Sequence, residues 1–332
     1  VRIKREQLLK VLESVSVGLS TKELLDQSDC FLFGDEIMVF NGEIAARVDT
    51  LLDFRGIVKA QPLMTLLRKL KEEEIEVEST EKGLRIKGKN REAFVSVEEQ
   101  SRIDLKEIEQ PVKWKPLPEG LLDALIVACS CCSRMQTIMV LMCVHIMEDK
   151  VEASDDFQIV TCPIDTKMKS MLIHRESVEK ICSAKPVKWS RTESWMHFQT
   201  SDKVTISCRK YEEQYPNVSK YLKVEGPEVK LPAEISSALD KAQIFSVDDP
   251  EGNQVTVYIG NGRMRLIGKG AYGSYEERCK IDYSGSKIAF RIEPRLLSEI
   301  IRRSNVCKIG NGKIRIDADG FTYVACTAVL ED

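Results

Sequence analysis

One pattern, stated three times, governs what this chain can fold into. The segments REQLLKVLES from Arg5, PEGLLDALIVAC from Pro118 and PAEISSALDKAQIF from Pro232 share an apolar spacing. Their paired positions, Leu8/Leu12, Leu121/Leu125 and Ile235/Leu239, lie 113 and 114 residues apart. Each pair has the i, i+4 step of an amphipathic helix. Pro118 and Pro232 stand where a starting helix tolerates a missing N–H. A second set, QPLMTLLRKLK from Gln61, RESVEKICSA from Arg175 and EPRLLSEIIRRS from Glu293, recurs in phase, with Met64, Val178 and Leu297 offset by 114 and 119 residues.

Paired strand patterns follow each second helix: EIEVES/GLRIKG, VKWSRTES/WMHFQTSDKVTISC and CKIGNGKIRID/FTYVACTAV. Alternation at Leu84/Ile86 and Ile314/Ile316, with Gly and Asn between runs, marks hairpins. Further strand runs lie between the helices of each unit: CFLFGDEIMVFNGEIAARV, MVLMCVHIMEDKVEASDDFQIVTCPI and QVTVYIGNGRMRLIG. Prolines and charges cluster near 101–114 and 223–232, which predicts linkers there. The expected fold is therefore α+β in three tandem domains, 1–110, 111–228 and 229–332. The 332 residues, 43% hydrophobic and 30% charged, are enough for sizeable cores.

With 49 Lys plus Arg against 52 Asp plus Glu, the net charge is −3, which excludes a histone-like polycation but not a local basic surface. No run approaches the ~20 apolar residues of a membrane helix, so no membrane partner is expected. The basic start, Val1-Arg2-Ile3-Lys4-Arg5, leads into a charged helix pattern rather than an apolar signal core. Eleven cysteines without regular spacing, among them Cys129, Cys131, Cys143, Cys182, Cys208 and Cys326 in apolar runs, predict buried thiols of a reducing cytoplasm and no structural disulfide.

Catalytic patterns are thin. The three histidines are His145, His174 and His197, and His145 lies in an apolar strand run that favours a packing role. There is no HExxH and no Cys/His set at zinc spacing; Cys129-Ser130-Cys131-Cys132 lacks a second pair. No metal and no cofactor are expected. Gly268-Lys269-Gly270-Ala271-Tyr272-Gly273 matches GxGxxG, but SYEERCKIDY after it reads as a strand, whereas a dinucleotide needs a helix N-terminus there. An inter-strand loop is the expectation. The acidic runs at 72–74 and Asp155-Asp156 read as solvated turns, so an enzyme is the weaker class.

The placement of basic residues is more telling. Lys59, Arg68, Lys69 and Lys71 occur without an acid between them. His174, Arg175, Lys180 and Lys185 follow the second unit's second helix, and Arg291, Arg295, Arg302, Arg303 and Lys308 the third unit's. Singly, such cations suit helix C-termini on a solvated face. Recurring on three equivalent helices, they suggest a shared surface for phosphates.

Taken in order, the segments resemble the bacterial sliding clamp, the β subunit of DNA polymerase III, over essentially the whole chain. REQLLKVLESVSVGLS is similar to that family's opening helix, VEASDDFQIVTCPI to its second-domain strand–turn–strand, and YEEQYPNVSKYLKVEG to its loop into the third domain. IDYSGSKIAF followed by EPRLLSEII resembles the third-domain "YSG" strand and the helix after it. The resemblance implies a head-to-tail homodimer, domain 1 to domain 3, closing a ring with helices inside and antiparallel sheets outside. It implies a processivity factor without catalysis that encircles duplex DNA and tethers polymerase, clamp-loader and repair proteins through short linear peptides. A clamp-like scaffold or decoy that is never loaded on DNA is the alternative.

By matched position, the resemblance puts DNA contacts at Lys22, Arg134 and Gln136. Lys71, Arg175 and Arg302 are added from charge and helix placement alone. It puts a partner-peptide pocket at Leu141, Ser154, Asp156, Gln158, Ile159 and Pro216, continued by Lys220, Tyr221, Lys313, Val324 and Cys326. Leu141, Ile159, Pro216, Val324 and Cys326 keep the apolar character an anchor side chain needs. Two departures stand out. Asp156-Phe157-Gln158-Ile159 replaces a Gly-His-Arg-Leu-like run, and Cys326-Thr327-Ala328-Val329 replaces a Met-Pro-Met/Val-Arg-like tail. A divergent clamp with altered peptide preference is the expectation.

Overall fold

The repeating helix and hairpin patterns become one series of ten elements, strand–helix–four strands–helix–three strands, run through three times. A computed structural model describes every residue except 21–24, 81–82, 99, 136–137, 248–252, 299 and 331–332. The first series is β1 (Arg2–Lys4), α1 (Arg5–Val15), β2 (Cys30–Phe33), β3 (Glu36–Phe40), β4 (Ile44–Asp49), β5 (Gly56–Lys59), α2 (Ala60–Lys69), β6 (Glu74–Thr80), β7 (Gly83–Gly88) and β8 (Arg91–Ser96). The second is β9 (Lys115–Pro116), α3 (Leu121–Ser130), β10 (Cys143–Ile146), β11 (Lys150–Ser154), β12 (Gln158–Pro163), β13 (Met171–His174), α4 (Arg175–Ala184), β14 (Lys188–Arg191), β15 (Trp195–Gln199) and β16 (Thr205–Arg209). The third is β17 (Glu228–Lys230), α5 (Ile235–Ser246), β18 (Val255–Gly260), β19 (Arg263–Gly270), β20 (Gly273–Lys280), β21 (Ile288–Ile292), α6 (Arg295–Ser298), β22 (Val306–Gly310), β23 (Lys313–Ala318) and β24 (Phe321–Cys326), closed by a short β25 (Ala328–Val329).

Each helix buries the stripe its spacing predicts. Leu8, Leu12 and Val15 of α1 are buried, as are Leu63, Met64 and Leu67 of α2, Val178 and Ile181 of α4, and Ile235, Leu239 and Ala242 of α5. Pro62, in the first turn of α2, costs no helical hydrogen bond. The β18–β19 and β22–β23 hairpins turn through Asn261-Gly262 and Asn311-Gly312, all with φ between 52° and 68°. That left-handed pair is what a two-residue hairpin turn requires.

Contacts divide the chain into two units. The first comprises Val1–Leu122 and Glu176–Tyr211, the second Asp123–Arg175 and Glu212–Asp332. The strands of the central series are thus shared out, β9 and β14–β16 to the first unit and β10–β13 to the second. In the first unit the main sheet has eight antiparallel strands in the order β5-β2-β3-β4-β16-β15-β14-β9, beside a four-stranded sheet β1-β6-β7-β8. In the second, the main sheet runs β13-β10-β11-β12-β24-β23-β22-β17, beside a five-stranded sheet β20-β19-β18-β21-β25. Each eight-stranded sheet therefore joins two successive series, the fourth strand of one to the last strand of the next. In one the ladder runs from Arg47 opposite Thr205 to Ile44 opposite Cys208; in the other, from Gln158 opposite Ala325 to Thr161 opposite Thr322.

The smaller sheets keep a clean alternation because one face meets solvent. In β6, Ile75 and Val77 are buried between Glu74, Glu76 and Glu78, and in β19 Met264 is buried between Arg263 and Arg265. The large sheets do not alternate: CFLF of β2 and CVHI of β10 are buried throughout. Their second face is covered by a strap of the chain's own linker. In the first unit, Ile103, Leu105 and Ile108 lie on Met38, Phe40 and Trp195. The Trp195 Nε1–H donates to the Glu107 carbonyl at 2.9 Å. Gln27 ties the strap down, donating from Nε2 to the Gln100 carbonyl at 3.0 Å and accepting from the Arg102 N–H at 2.9 Å. In the second unit, Val218 and Val224 are the buried residues of the corresponding segment. No helix among the described residues is long and apolar enough to cross a membrane.

Candidate functional site

The second unit's strap crosses its large sheet beside the β11–β12 turn, and there the expected pocket residues gather. The turn is built by Asp155, whose carboxylate accepts from the Phe157 and Gln158 backbone N–H groups at 3.1 and 3.0 Å and from Gln158 Nε2 at 2.9 Å. Asp156 next to it is exposed, with φ 76°, a conformation a short acid tolerates. Ser154 Oγ donates to the Gln158 carbonyl at 2.8 Å. Arg295 Nη1 donates to Asp155 at 2.9 Å, and Tyr323 Oη donates to Gln158 Oε1 at 2.8 Å. Gln158 and Asp155 are almost wholly buried in this network.

Strand pairing then sets which side chains share the strap-covered face. Ser154, Ile159, Val324 and Arg315 stand opposite one another across β11, β12, β24 and β23. Cys326 and Lys313 form the adjacent row, and the Cys326 N–H donates to the Phe157 carbonyl at 2.8 Å. Because side chains alternate along a strand, Gln158 and Tyr323 point to the other side. The strap is clipped on through Arg315, which donates to the Leu222 carbonyl at 2.9 Å, and Lys313, whose Nζ lies 3.4 Å from the Tyr221 carbonyl. Tyr221 is 45% exposed, with Lys220 Nζ 4.8 Å and Lys313 Nζ 5.4 Å from its ring centroid.

The structure therefore brings Ser154, Ile159, Val324, Cys326, Lys313, Lys220 and Tyr221 to one surface, with exposed Pro216 on the strap leading to it. Leu141 is buried in the turn before β10. Gln158 holds the turn from beneath. A groove of about 500 Å³ opens at the Cys326 end, lined by Phe157, Gln254, Arg291, Ile292, Glu293, Leu296 and Cys326 among others. Phe157, 53% exposed, is the large apolar side chain at its rim. The Asp155–Arg295 tie and the Tyr323–Gln158 bond had no signal in the sequence, since their partners are 140 and 165 residues apart.

The basic residues are dispersed. Lys22 and Gln136 lie outside the described residues. Lys71 follows α2 and is exposed, as is Arg134 after α3. Arg302 is exposed on a 3-10 turn after α6, its Nε 3.5 Å from Ser236 Oγ. Arg175 is half-buried at the first residue of α4. Elsewhere on the helices, Arg68 is paired with Glu13 at 2.9 Å and Lys10 with Asp202 at 3.2 Å.

Other chemistry recedes. Gly268–Gly273 spans the end of the β19–β20 hairpin, where Gly270 pairs with Gly273 and no helix follows. A Cβ on Gly268 would sit 2.1 Å from the Ala242 carbonyl, so this glycine serves the close approach of α5 to β19. Among the described residues no group of three His, Cys, Asp or Glu could hold a metal ion. Nine of the eleven cysteines are buried, whereas Cys326, expected to be buried, is exposed. His145 Nδ1 lies 2.9 Å from Glu152 and its Nε2 2.9 Å from Ser170 Oγ, a nucleophile–base–carboxylate line. Tyr215 of the strap stacks on the ring, with centroids 4.7 Å apart. His197 makes a like network under the other strap, with Ser207 Oγ at 2.8 Å and Thr192 Oγ1 at 3.0 Å, and there the ring is wholly buried. The recurrence marks both as polar packing beneath straps.

No protein-family model and no curated protein matches the sequence. Solved structures do match over nearly the full length. The DNA polymerase III β chain of Streptococcus pneumoniae TIGR4 superposes with a TM-score of 0.86 at 12% identity, covering 99% of both chains. The β subunit from Pseudomonas aeruginosa gives 0.82 at 14%, again over 99% of both. A putative β subunit from Eubacterium rectale gives 0.80 at 19%, over 98% of both. The chain has the fold of the bacterial sliding clamps.

Proposed function

We propose that the chain is a processivity clamp: a homodimeric ring that encircles duplex DNA and tethers a polymerase and other replication proteins to it. The observation that carries the reading is a joint left unmade. Two of the three fourth-strand-to-last-strand joints form within the chain, β4 to β16 and β12 to β24. The strands that would make the remaining one, β20 and β8, are both edge strands among the described residues. An edge with unpaired N–H and C=O groups is a template for another strand. Tyr272, beside β20, is 85% exposed and Phe94, on β8, is 52% exposed. A second copy supplies each edge with its partner, and two such heterologous joints close a ring when the rotation permits.

In this reading the domains are 1–110, 111–228 and 229–332, and the helices face the DNA. Lys71, Arg134, Arg175 and Arg302, with Lys22 and Gln136, supply contacts that ignore base sequence and so allow sliding. The surface around Ile159, Val324, Cys326 and Tyr221 takes short peptides of the polymerase and of the clamp loader. Tethering acts by raising effective concentration, which needs no catalysis.

The decisive experiment is light scattering after size-exclusion chromatography, at micromolar and nanomolar concentration, followed by retention on closed circular against linear DNA. The reading expects a mass near 75 kDa, twice the 37.6 kDa chain, and retention only where the DNA has no end. A monomer of 37.6 kDa that never stays on circles, even with a loader, would leave a scaffold for replication peptides in its place.

A further inference from the structure

We infer that the solvent face of the five-stranded sheet binds single-stranded nucleic acid, at a surface separate from the helices. The inference goes beyond the clamp reading and needs neither the ring nor the peptide surface. Side chains alternate along β18, β19 and β20. The buried Val257, Met264 and Leu266 share one face with Gly268, where α5 approaches. The other face presents Arg263, Arg265, Lys269, Arg278, Lys280 and, just before β21, Lys287, all exposed. Its strands carry one outward acid, Glu276, already shared by Arg265 at 2.6 Å and Arg278 at 2.5 Å. Among the described residues Arg263, Lys269, Lys280 and Lys287 make no ion pair, and neither does Asp282 just past β20.

Strand register makes this a compact patch. Lys280 stands opposite Arg263, and Arg263 opposite Gly260. A Cβ on Gly260 would sit 3.2 Å from Lys287 Cγ, so the lysine stem lies beside the glycine in the same row. The next row is Arg278, Arg265 and Tyr258, with the Arg265 guanidinium 5.7 Å from the ring centroid. Strands are about 5 Å apart and successive outward residues about 7 Å, so five cations fall within roughly 15 Å.

The first unit's four-stranded sheet shows what a merely solvated face looks like in this chain. Its outward Arg2, Lys4, Arg85 and Lys87 stand opposite Glu74, Glu76, Glu78 and Glu92. Arg85 and Lys87 are ion-paired there, to Glu92 at 3.0 Å and Glu78 at 2.8 Å. Four cations meet four acids on that face; six meet one on the other, in a chain of net charge −3. A phosphate backbone supplies the missing negative charge. Tyr258, 40% exposed among the arginines, adds a ring on which an unpaired base stacks. A duplex keeps its bases from that ring, and an acidic peptide makes no use of it.

The test is fluorescence anisotropy of a labelled twenty-residue oligothymidylate with the full chain, beside a duplex of equal length and a decaglutamate peptide. The oligothymidylate should bind tightest. Arg263→Gln/Lys280→Gln/Lys287→Gln should weaken it about tenfold, as the loss of three exposed ionic contacts predicts, and lower the salt slope by about two. Tyr258→Ala should weaken the oligothymidylate about tenfold and leave decaglutamate unchanged. The helix variant Lys71→Gln/Arg134→Gln/Arg302→Gln should keep the oligothymidylate affinity. The substituted side chains are all exposed, so the thermal melts should match wild type. A measurement that needs no variant is photocross-linking of the wild-type chain to oligothymidylate carrying 5-iodouracil, expected at Tyr258. Decaglutamate binding as tight as the oligothymidylate, with neither sensitive to Tyr258→Ala, would make the face an acidic-peptide site and overturn the inference. So would a duplex that binds as tightly as the single strand, an unaffected face variant, or cross-links confined to the helices. None of these outcomes bears on the ring, which the solution mass and retention on circles decide.

Discussion

Arg295 reaches Asp155 at 2.9 Å, joining α6 to the β11–β12 turn across 140 residues of sequence. The arginine is half-exposed and the carboxylate almost fully buried, at 45% and 4% side-chain exposure. Removing the cation leaves Asp155 with only the Gln158 and Phe157 donors. Arg295→Met should cost about 1–2 kcal/mol in urea unfolding, less than a fully buried pair because solvent already screens the guanidinium. Asp155→Asn, which still offers an acceptor, should cost less than Asp155→Ala. Equal costs for the two would mean that the turn does not depend on those acceptors.

His197 makes stability pH-dependent in a defined direction. Burial, aided by Arg47 and opposed by Glu109, lowers its pKa from 6.5 to about 4, so the folded chain holds the ring neutral. Above pH 6.5 both states are neutral and the histidine contributes no slope. As pH falls from 6.5 towards 4, the unfolded chain takes up a proton that the folded one refuses, and stability drops. The loss is about 2 kcal/mol by pH 5 and about 3 kcal/mol by pH 4. Urea unfolding of wild type and His197→Gln at pH 7.5, 5.5 and 4.5 isolates it, since the carboxylates cancel in the difference. Parallel profiles would show that the ring is not buried neutral.

The free edge of β8 offers a test of self-association that spares the fold. Phe94 is on that edge and 52% exposed, so Phe94→Asp removes apolar surface without opening a core. Dimer dissociation measured by light scattering should rise more than tenfold, about 1.4 kcal/mol or more at the joint, with the melting temperature of the dilute chain unchanged. A dimer as tight as wild type would move the joint elsewhere.

Exposed cations should govern retention on DNA. Arg134→Glu, Arg302→Glu and Lys71→Glu should each shorten residence on circular DNA, and each neutralised phosphate contact changes the salt slope by roughly one. The effect should be the same for unrelated DNA sequences. Retention that survives the triple variant at 0.15 M salt would separate encirclement from charge.

Much of the fold was legible because it is local. The six helix stripes and the Asn-Gly turns at 261–262 and 311–312 depend on residues within one turn or hairpin of each other. The pairing of β4 with β16 was not legible, because Ala46 and Ile206 carry nothing that names one another across 160 positions. Nor were the straps: 101–109 falls in a predicted linker, 212–224 lies mostly before the one predicted at 223–232, and only the sheet beneath reveals Ile108 and Val218 as buried. The candidate pocket was legible only through resemblance. Its floor of Ile159 and Val324 reads as ordinary strand core, and Gln158, one position away, points to the opposite face. Alternation in β12 is masked because helices cover one face and the strap the other.

The two loose sheet margins have a consequence of their own. If β8 and β20 pair between copies as proposed, a chain carrying one of each is a monomer in the polymer chemist's sense, bifunctional and able to add to itself without limit. Nothing at β8 or β20 counts copies; only the angle turned at each junction decides whether growth ends in a closed cycle or runs on as a fibre. Substitutions in the ladders of β4 with β16 or β12 with β24, far from either margin, could then change stoichiometry while leaving the affinity of the joint untouched. Electron microscopy of such variants would look for strings where wild type gives discrete particles.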